Sequence, residues 1–339
     1  MNSKEQQTHL NTQTKIRAIV QDSYGALDVL RVEQIDMPTI EANEILIRVR
    51  AAGIDRGTWH LMTGKPYLMR LMGFGFNKPK NRVPGLDVAG TVAAIGANAT
   101  QFSVGDEVFG IAKGSFAEYA VANQHKVALK PKNLTFEQSA VVPVSGLTAL
   151  QALRDAGRIQ PGQTVLVIGA SGGVGTYAVQ LAKALGASEV TGVASTTKLD
   201  LITKIGADHA LDYTNDDFTN GSRRYDLIID IGGNTRTSRL RQALTPTGTL
   251  VIVGGENKGS VTGGFGRSMR AAVKSLFVSQ RLVMHMSKET AVDLEPLRAF
   301  IETGHVTPVV DTVYPLSEVA DAMRHLVSGT TRGKLALVV

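Results

Sequence analysis

Residues 164–187 read TVLVIGASGGVGTYAVQLAKALGA, and the order of residue types in this stretch decides the fold. Positions 165–168 form a short apolar run of the length and branching expected for a strand buried on both faces. A turn of small residues follows, Gly169-Ala170-Ser171-Gly172-Gly173-Val174-Gly175. Val174, Ala178, Leu181, Ala182 and Leu185 then fall at i, i+4, i+7, i+8 and i+11, one face of a helix, and Gly186 supplies a C-terminal stop. Strand, glycine turn and helix make the phosphate-binding half of a dinucleotide fold. Glycines let the backbone approach a pyrophosphate, and the helix N-terminus offers free N–H donors and positive partial charge. The spacing Gly169-x-x-Gly172-x-x-Gly175 departs from the usual G-x-G-x-x-G, because Ser171 stands where the second glycine would be. A plain strand–helix turn is the competing reading, and the strand before and helix after argue against it. No Lys-Ser or Lys-Thr follows at P-loop spacing.

Composition sets the outer limits. A chain of 339 residues should make about two domains, and 43% hydrophobic content fills a proper core. No apolar run is long enough to span a membrane, and residues 1–14 are polar, reading as a disordered arm without a signal core. With no cysteine, disulfides and thiolate metal sites are excluded and the cytoplasm is the default expectation. A net charge of +6 is modest for this length. The only short basic cluster, Lys78, Lys80 and Arg82, lies in a Gly/Pro-rich loop. It reads as a solvated loop, or as a lure for an anionic cofactor or substrate, and not as a nucleic-acid site.

Upstream of residue 135 the strand signals are closely spaced: 15–20, 45–50, a strand pair with turns over 86–95, a hairpin turn at 104–108, and 116–121. This half reads as mostly β. Helices are expected at 137–140 and 146–156, and beyond them strands and helices alternate. Strands at 189–194, 209–211, 226–231 and 250–253 enclose helices at 198–205 and 237–244, the pattern of a parallel, doubly wound sheet. A helix at 293–303, a strand at 309–314, a helix at 317–328 and an apolar strand at 334–339 finish the chain, the last apolar enough to dock in a sheet.

The second strand of this fold ordinarily ends in an acidic residue that bonds the ribose hydroxyls of NAD. Here that place carries Ala194-Ser195-Thr196-Thr197, with Lys198 just beyond. No carboxylate would repel a 2′-phosphate there, while hydroxyls and an ammonium would bind one, so the physics favours NADPH. Ser195 as a simple helix cap is the other reading. The seven histidines include no pair at helical ligand spacing, so catalytic zinc is not expected. No tyrosine is followed four residues later by lysine, and no G-x-S-x-G elbow occurs. Hydride transfer from a nicotinamide remains.

In order and spacing, AAGID (51–55), PGLDVAGTVAAIG (84–96), VGDEVFG (104–110), FAEYAV (116–121), SGLTAL (145–150), the 170–175 turn, KLDLITKIGADHALDY (198–213), DIGG (230–233) and RGKLALVV (332–339) resemble one family. It is the zinc-independent quinone oxidoreductase branch of the medium-chain dehydrogenase/reductase superfamily. The resemblance implies an α/β protein, a Rossmann doubly wound parallel sheet (136–294) plus a mostly-β GroES-like catalytic domain (15–135 and 295–339), usually as a homodimer. It implies that Ala170, Ser171, Gly172, Gly173, Val174 and Gly175 hold the pyrophosphate. Ser195, Lys198 and Tyr213 match positions that bind the 2′-phosphate of NADPH, and Thr148, Gly232 and Gly254 match positions bordering the cofactor. Where zinc-dependent members carry a cysteine and a histidine, this chain has Asp55 and Leu86. Asp55, in place of a common asparagine, either bonds the nicotinamide ribose, joins proton delivery or caps the next turn. His60 and Tyr67 match places near substrate, with His60 otherwise a surface residue. The insertion 67–82 reads as a lid over the substrate cleft or as a helix packed through Leu68, Leu71 and Met72.

Three functions stay open on this reading. The first is an NADPH-dependent reductase of quinones or α,β-unsaturated carbonyls. The others are a zinc-free alcohol or ketone dehydrogenase, and an NADPH-binding sensor with little catalysis.

Overall fold

The computed structural model describes residues 14–254, 266–267, 271, 273, 275 and 277–339. The arm expected over 1–14 therefore lies outside the described residues, except for Thr14. Strands β1 (Lys15–Val20), β2 (Arg31–Asp36) and β3 (Glu44–Ile54) lead to helix α1 (Arg56–Thr63). After it come β4 (Asp87–Ile95), β5 (Glu107–Ile111), β6 (Tyr119–Asn123) and β7 (Val127–Leu129). Helices α2 (Phe136–Ala140) and α3 (Pro143–Gln151) then bring the chain to β8 (Thr164–Ile168), α4 (Gly173–Ala184), β9 (Glu189–Ala194), α5 (Leu199–Lys204) and β10 (His209–Asp212). Strand β11 (Tyr225–Asp230), α6 (Thr237–Gln242), β12 (Leu244–Ile252) and β13 (Arg281–Met284) follow. Last come α7 (Ala291–Glu302), β14 (Val310–Pro315), α8 (Val319–Ser328) and β15 (Lys334–Val338).

Six strands form a parallel sheet in the order β10-β9-β8-β11-β12-β13. The order reverses at β8, so the crevice beyond its carboxyl end is the switch point where ligands of such sheets bind. A second sheet runs β14-β15-β3-β4-β5-β7, with β6 also on β3. Its last-made strand, β15, inserts antiparallel against β3 from Leu335↔Ile54 to Val338↔Ala51, so the apolar C-terminus does dock in a sheet. One apolar cluster unites the two sheets. It joins Ala51, Ala89 and Phe109 of the second sheet to Leu147 and Leu150 of α3, Val165 and Val167 of β8, and Tyr177 and Leu181 of α4.

Local chemistry explains most element ends. The N–H groups of Gly186 and Ala187 bond the carbonyls of Lys183 and Ala182, and Gly186 has φ +89°, so α4 stops in a Schellman turn. Thr135 and Gln138 form a reciprocal capping box that starts α2. Strand β2 is not among the expected strands; it carries little burial signal, its residues being exposed or half-buried. Two expectations need correction. The stretch expected as a strand pair is the single strand β4, running through Gly90. A Cβ there would lie 2.2 Å from the Arg48 carbonyl oxygen, so the glycine permits close strand approach where a turn was expected. Secondly, Leu71 in the 67–82 insertion is 71% exposed, which removes the packed-helix reading for that residue; the side chain of Met72 is outside the described residues. Only one wide helical turn, Arg70–Phe74, forms there, broken at Gly73.

Candidate active site

At the end of β8 the chain reverses so tightly that both Gly169 and Ala170 donate their N–H groups to the Val193 carbonyl, at 3.1 and 3.0 Å. Gly169 has φ +85°, a conformation open to glycine. Gly172 is the N-cap of α4 and makes no side-chain cap bond, and Gly173, Val174 and Gly175 occupy the first turn, where N–H groups have no intrahelical partner. The opposite sheet closes on this turn. Gly333 donates its N–H to the Ser171 carbonyl at 2.8 Å, and the Lys334 side chain lies so near Gly173 that a Cβ there would meet its Cδ at 2.7 Å. The small-residue turn is thus an open anion seat pinned from both sides.

Beneath it lies a buried ion pair that sequence reasoning missed. Lys334 Nζ sits 3.2 Å from Asp87 Oδ2, with both side chains almost wholly buried. Asp87 Oδ1 accepts the Val144 N–H at 2.8 Å, at the start of α3. Burial pushes the Asp87 carboxyl up to about 7; Lys334 opposes the rise and the Asp55 charge adds to it. Tyr177 donates its hydroxyl to the Val141 carbonyl, and its pKa stands well above the usual range through burial and then the Asp87 charge.

Asp55 serves as N-cap of α1: its Oδ1 accepts from the Thr58 N–H at 2.7 Å and the Thr58 hydroxyl at 3.2 Å. Its Oδ2 is buried with no hydrogen-bond partner, so the capping role leaves one carboxylate oxygen unused. His60, on the same helix, sets Nδ1 2.8 Å from the Lys65 carbonyl. That nitrogen must carry hydrogen, so a neutral ring offers Nε2 as an acceptor, and only the imidazolium can donate from it. Tyr67 is exposed and lies under the Arg70 guanidinium, 4.8 Å from the ring centroid. Thr148, on α3, is half-buried and donates its hydroxyl to the Val144 carbonyl at 2.6 Å.

At the end of β9, Ser195 starts a short helical turn without making a side-chain cap bond. Lys198 donates to the Gly329 and Thr331 carbonyls at 2.6 and 2.8 Å, leaving one ammonium hydrogen. Burial lowers its pKa; Asp311 opposes this, and the charges of Arg332 and Arg56 lower it further. Two cations, Lys198 and Arg332, therefore meet at this loop. Arg332 was not foreseen: it donates to the Thr197 carbonyl at 2.6 Å and to Asp200 at 2.5 Å. Tyr213, at the end of β10, is exposed. A carboxylate is nearby after all, in Asp212, held at about 2 by the Thr196 hydroxyl first and then by the Thr214 hydroxyl and N–H. Both of its oxygens are engaged from within the loop.

Gly232 and Gly254 border the switch point from β11 and β12. The Gly232 N–H bonds the Ile168 carbonyl and the Gly254 N–H bonds the Asp230 carbonyl, both at 3.3 Å. Asp230 is buried and bonded by Arg267, and its pKa is raised by burial against that cation. Nothing in the sequence pattern pairs Arg267 with it. Among the described residues no three His, Asp or Glu side chains converge in a metal-binding group.

Comparison with known proteins bears on this arrangement. Residues 41–132 match the family described as alcohol dehydrogenase GroES-like domain, and residues 205–337 that described as zinc-binding dehydrogenase. The 2-methylene-furan-3-one reductase of Solanum lycopersicum is 32% identical, covering 98% of this chain and 81% of that one. The chloroplastic NADPH-dependent alkenal/one oxidoreductase of Arabidopsis thaliana is 33% identical, over 95% of this chain and 79% of that one. The quinone oxidoreductase structure from Coxiella burnetii superposes with a TM-score of 0.84 at 27% identity, covering 96% of this chain and 100% of that one. Relatives this similar over nearly the whole chain, on the same pair of sheets, settle the family: the chain belongs to the medium-chain dehydrogenase/reductase superfamily, in its quinone oxidoreductase-like branch.

Proposed function

We propose that this chain is an NADPH-dependent oxidoreductase that passes hydride to quinones or α,β-unsaturated carbonyls. The observation that carries the reading is the head of α4, which has no side-chain cap and lies at the sheet's switch point, with Lys198 and Arg332 meeting at the end of the next strand. Relatives named as an NADPH-dependent alkenal/one oxidoreductase and a quinone oxidoreductase support it. The residues fit the cofactor: a turn of small residues for the pyrophosphate, cations for a 2′-phosphate, and an orphaned acceptor for a hydroxyl.

When bound, the reduced nicotinamide supplies the hydride to an electrophilic carbon. The chain's residues bind and orient. Residues 170–175 seat the pyrophosphate, Ser195, Lys198 and Tyr213 with Arg332 hold the 2′-phosphate, and Thr148, Gly232 and Gly254 border the nicotinamide end. Asp55 Oδ2 accepts a hydrogen bond from a ribose hydroxyl, and His60, when doubly protonated, or solvent, delivers the proton that completes the product after hydride addition. With Asp55 and Leu86 where zinc ligands stand in other members, the reaction runs without a metal. The assembly is a homodimer, as the family resemblance implies. No helix among the described residues is long and apolar enough to cross a membrane.

The deciding experiment is NADPH oxidation by the purified chain across a panel of quinones and enals, with NADH alongside. Turnover that prefers NADPH is the expected result, and silence across the panel removes the proposal. Lys198→Ala is expected to weaken NADPH binding about 10-fold or more, the scale of a charge-assisted hydrogen bond. NADH binding should barely change. Equal weakening of both nucleotides in fluorescence titrations would place the 2′-phosphate elsewhere.

For Asp55, two substitutions separate capping from chemistry. Asp55→Ala loses the cap and about 1 kcal/mol of stability, and kcat/KM is expected to fall roughly 10-fold or more. Asp55→Ser restores a capping oxygen but not the second, unused one. It should recover the melting temperature and remain slow. A serine variant as fast as the parent would confine Asp55 to capping.

A further inference from the structure

Between Arg56 and Leu86 the sequence contains no Asp or Glu, but six Arg and Lys. The whole chain has 36 basic and 30 acidic residues, so outside this stretch 30 basic face 30 acidic and the entire net charge of +6 sits here. The same stretch exposes large apolar side chains: Leu71, Phe74 and Phe76, the last 67% exposed. Its backbone is tied down. Tyr24 donates its hydroxyl to the Phe74 and Gly75 carbonyls at 3.0 and 2.7 Å, the Lys80 N–H bonds the Phe74 carbonyl at 2.9 Å, and Arg82 is paired with Asp22 and Glu33. Arg70 lies over the Tyr24 ring and donates to the Gly64 carbonyl. The excursion is therefore anchored by its polar groups while its apolar tips point to solvent. Lys65, Lys78 and Lys80 are exposed and make no ion pair among the described residues.

Exposed apolar side chains that share one excursion with unpaired lysines, while the nearby Asp22 and Glu33 are taken up by Arg31 and Arg82, fit one kind of surface: an anionic lipid bilayer. We propose that this face docks peripherally on such a membrane, with Leu71, Phe74 and Phe76 entering the headgroup boundary and Lys65, Lys78 and Lys80 meeting lipid phosphates. A second copy of the chain is disfavoured as occupant, because it would set one basic stretch against another. Nucleic acid would use the lysines but leaves Leu71 without a role. The proposal is independent of the reaction the chain catalyses.

The test is co-sedimentation of the full chain with large vesicles of phosphatidylcholine, alone or with about one-third phosphatidylglycerol, at about 0.1 and 0.5 M NaCl. Binding is expected only to the anionic vesicles and mostly at low salt. A Lys78→Gln/Lys80→Gln pair should weaken it roughly 25-fold, about 5-fold for each lysine. Phe74→Ser/Phe76→Ser should weaken it at both salt concentrations, and all four side chains being exposed, both variants should melt with the parent. Four results would overturn the proposal: no binding to anionic vesicles, binding by both variants as tight as the parent's, capture of a single-stranded oligonucleotide with vesicles ignored, or an oligomer that the Phe74→Ser/Phe76→Ser change dissociates.

Discussion

A Lys334→Met chain is expected to lose about 3–5 kcal/mol of stability near pH 8, the cost of stranding one member of a buried ion pair. Lys334 Nζ is 3.2 Å from Asp87 Oδ2, and the two side chains are 2% and 0% exposed. Without the ammonium, the carboxylate keeps the Val144 N–H as its named donor and still faces the charge of Asp55. The sign of the pH dependence follows from the raised Asp87 pKa, about 7 against an ordinary 3.8. A carboxyl raised on folding favours the folded chain below its unfolded value, and this contribution is lost as pH rises through the folded one. Below about pH 6 Asp87 is protonated in both chains, so the deficit of the variant should shrink. Asp22 and Asp212, each held at about 2, lose their contribution instead as pH falls below the ordinary carboxylate range. They are common to both chains and cancel in the comparison. Urea unfolding at about pH 5.5 and about pH 8 reads the difference. Adding Asp87→Asn to Lys334→Met should restore most of the loss, since neither buried charge then remains. A deficit equal at both pH values would mean that packing of the lysine stem, and not its charge, holds the two sheets together.

What was legible in the sequence was whatever local periodicity or a local cap dictates. The run in β8, the apolar stripe of α4 and the stop at Gly186 follow from side chains within a few residues of one another. Strand β15 announced itself because five apolar positions in a row had to be covered. The rest depends on partners far along the chain. Asp87 and Lys334 are 247 positions apart, so neither spacing nor composition could join them, although both lie in motifs that were noticed. Lys198 drew attention alone, while Arg332 reaches the same loop from the C-terminus. At Gly90 the misreading was of another kind. In sequence a glycine inside an apolar run resembles a turn, and only the neighbouring Arg48 carbonyl reveals why a side chain is forbidden there. Asp55 is the instructive middle case. Its position before Gly57 and Thr58 made a cap foreseeable, but the unused second oxygen is a property of the packed site.

Gly175→Val is expected to abolish NADPH binding, with an affinity loss beyond 100-fold, and to lower stability by about 1–3 kcal/mol. A Cβ at this position would lie 2.1 Å from the Gly169 carbonyl oxygen and 2.7 Å from Ala170 Cα. Both obstacles are backbone, so no rotamer change relieves them, and α4 must move away from the end of β8. The donors of its first turn would then no longer converge where the turn seats a phosphate. Because the same change damages folding, it needs a partner that does not. Gly172→Ala adds a Cβ whose nearest neighbour is the Gly169 carbonyl oxygen at 3.6 Å, an ordinary contact, at φ −86° and ψ 178° where alanine is comfortable. That variant should melt within a few degrees of the parent, since glycine outranks alanine as a cap by only about 0.5–1 kcal/mol. Its methyl group nevertheless stands at the mouth of the turn, in the space a pyrophosphate would occupy, so NADPH affinity should drop about 10-fold or more. Calorimetric titration of the three chains with NADPH, beside their melting curves, separates the two effects. Full NADPH affinity in Gly172→Ala, with Gly175→Val binding in proportion to its folded fraction, would move the pyrophosphate away from the head of α4.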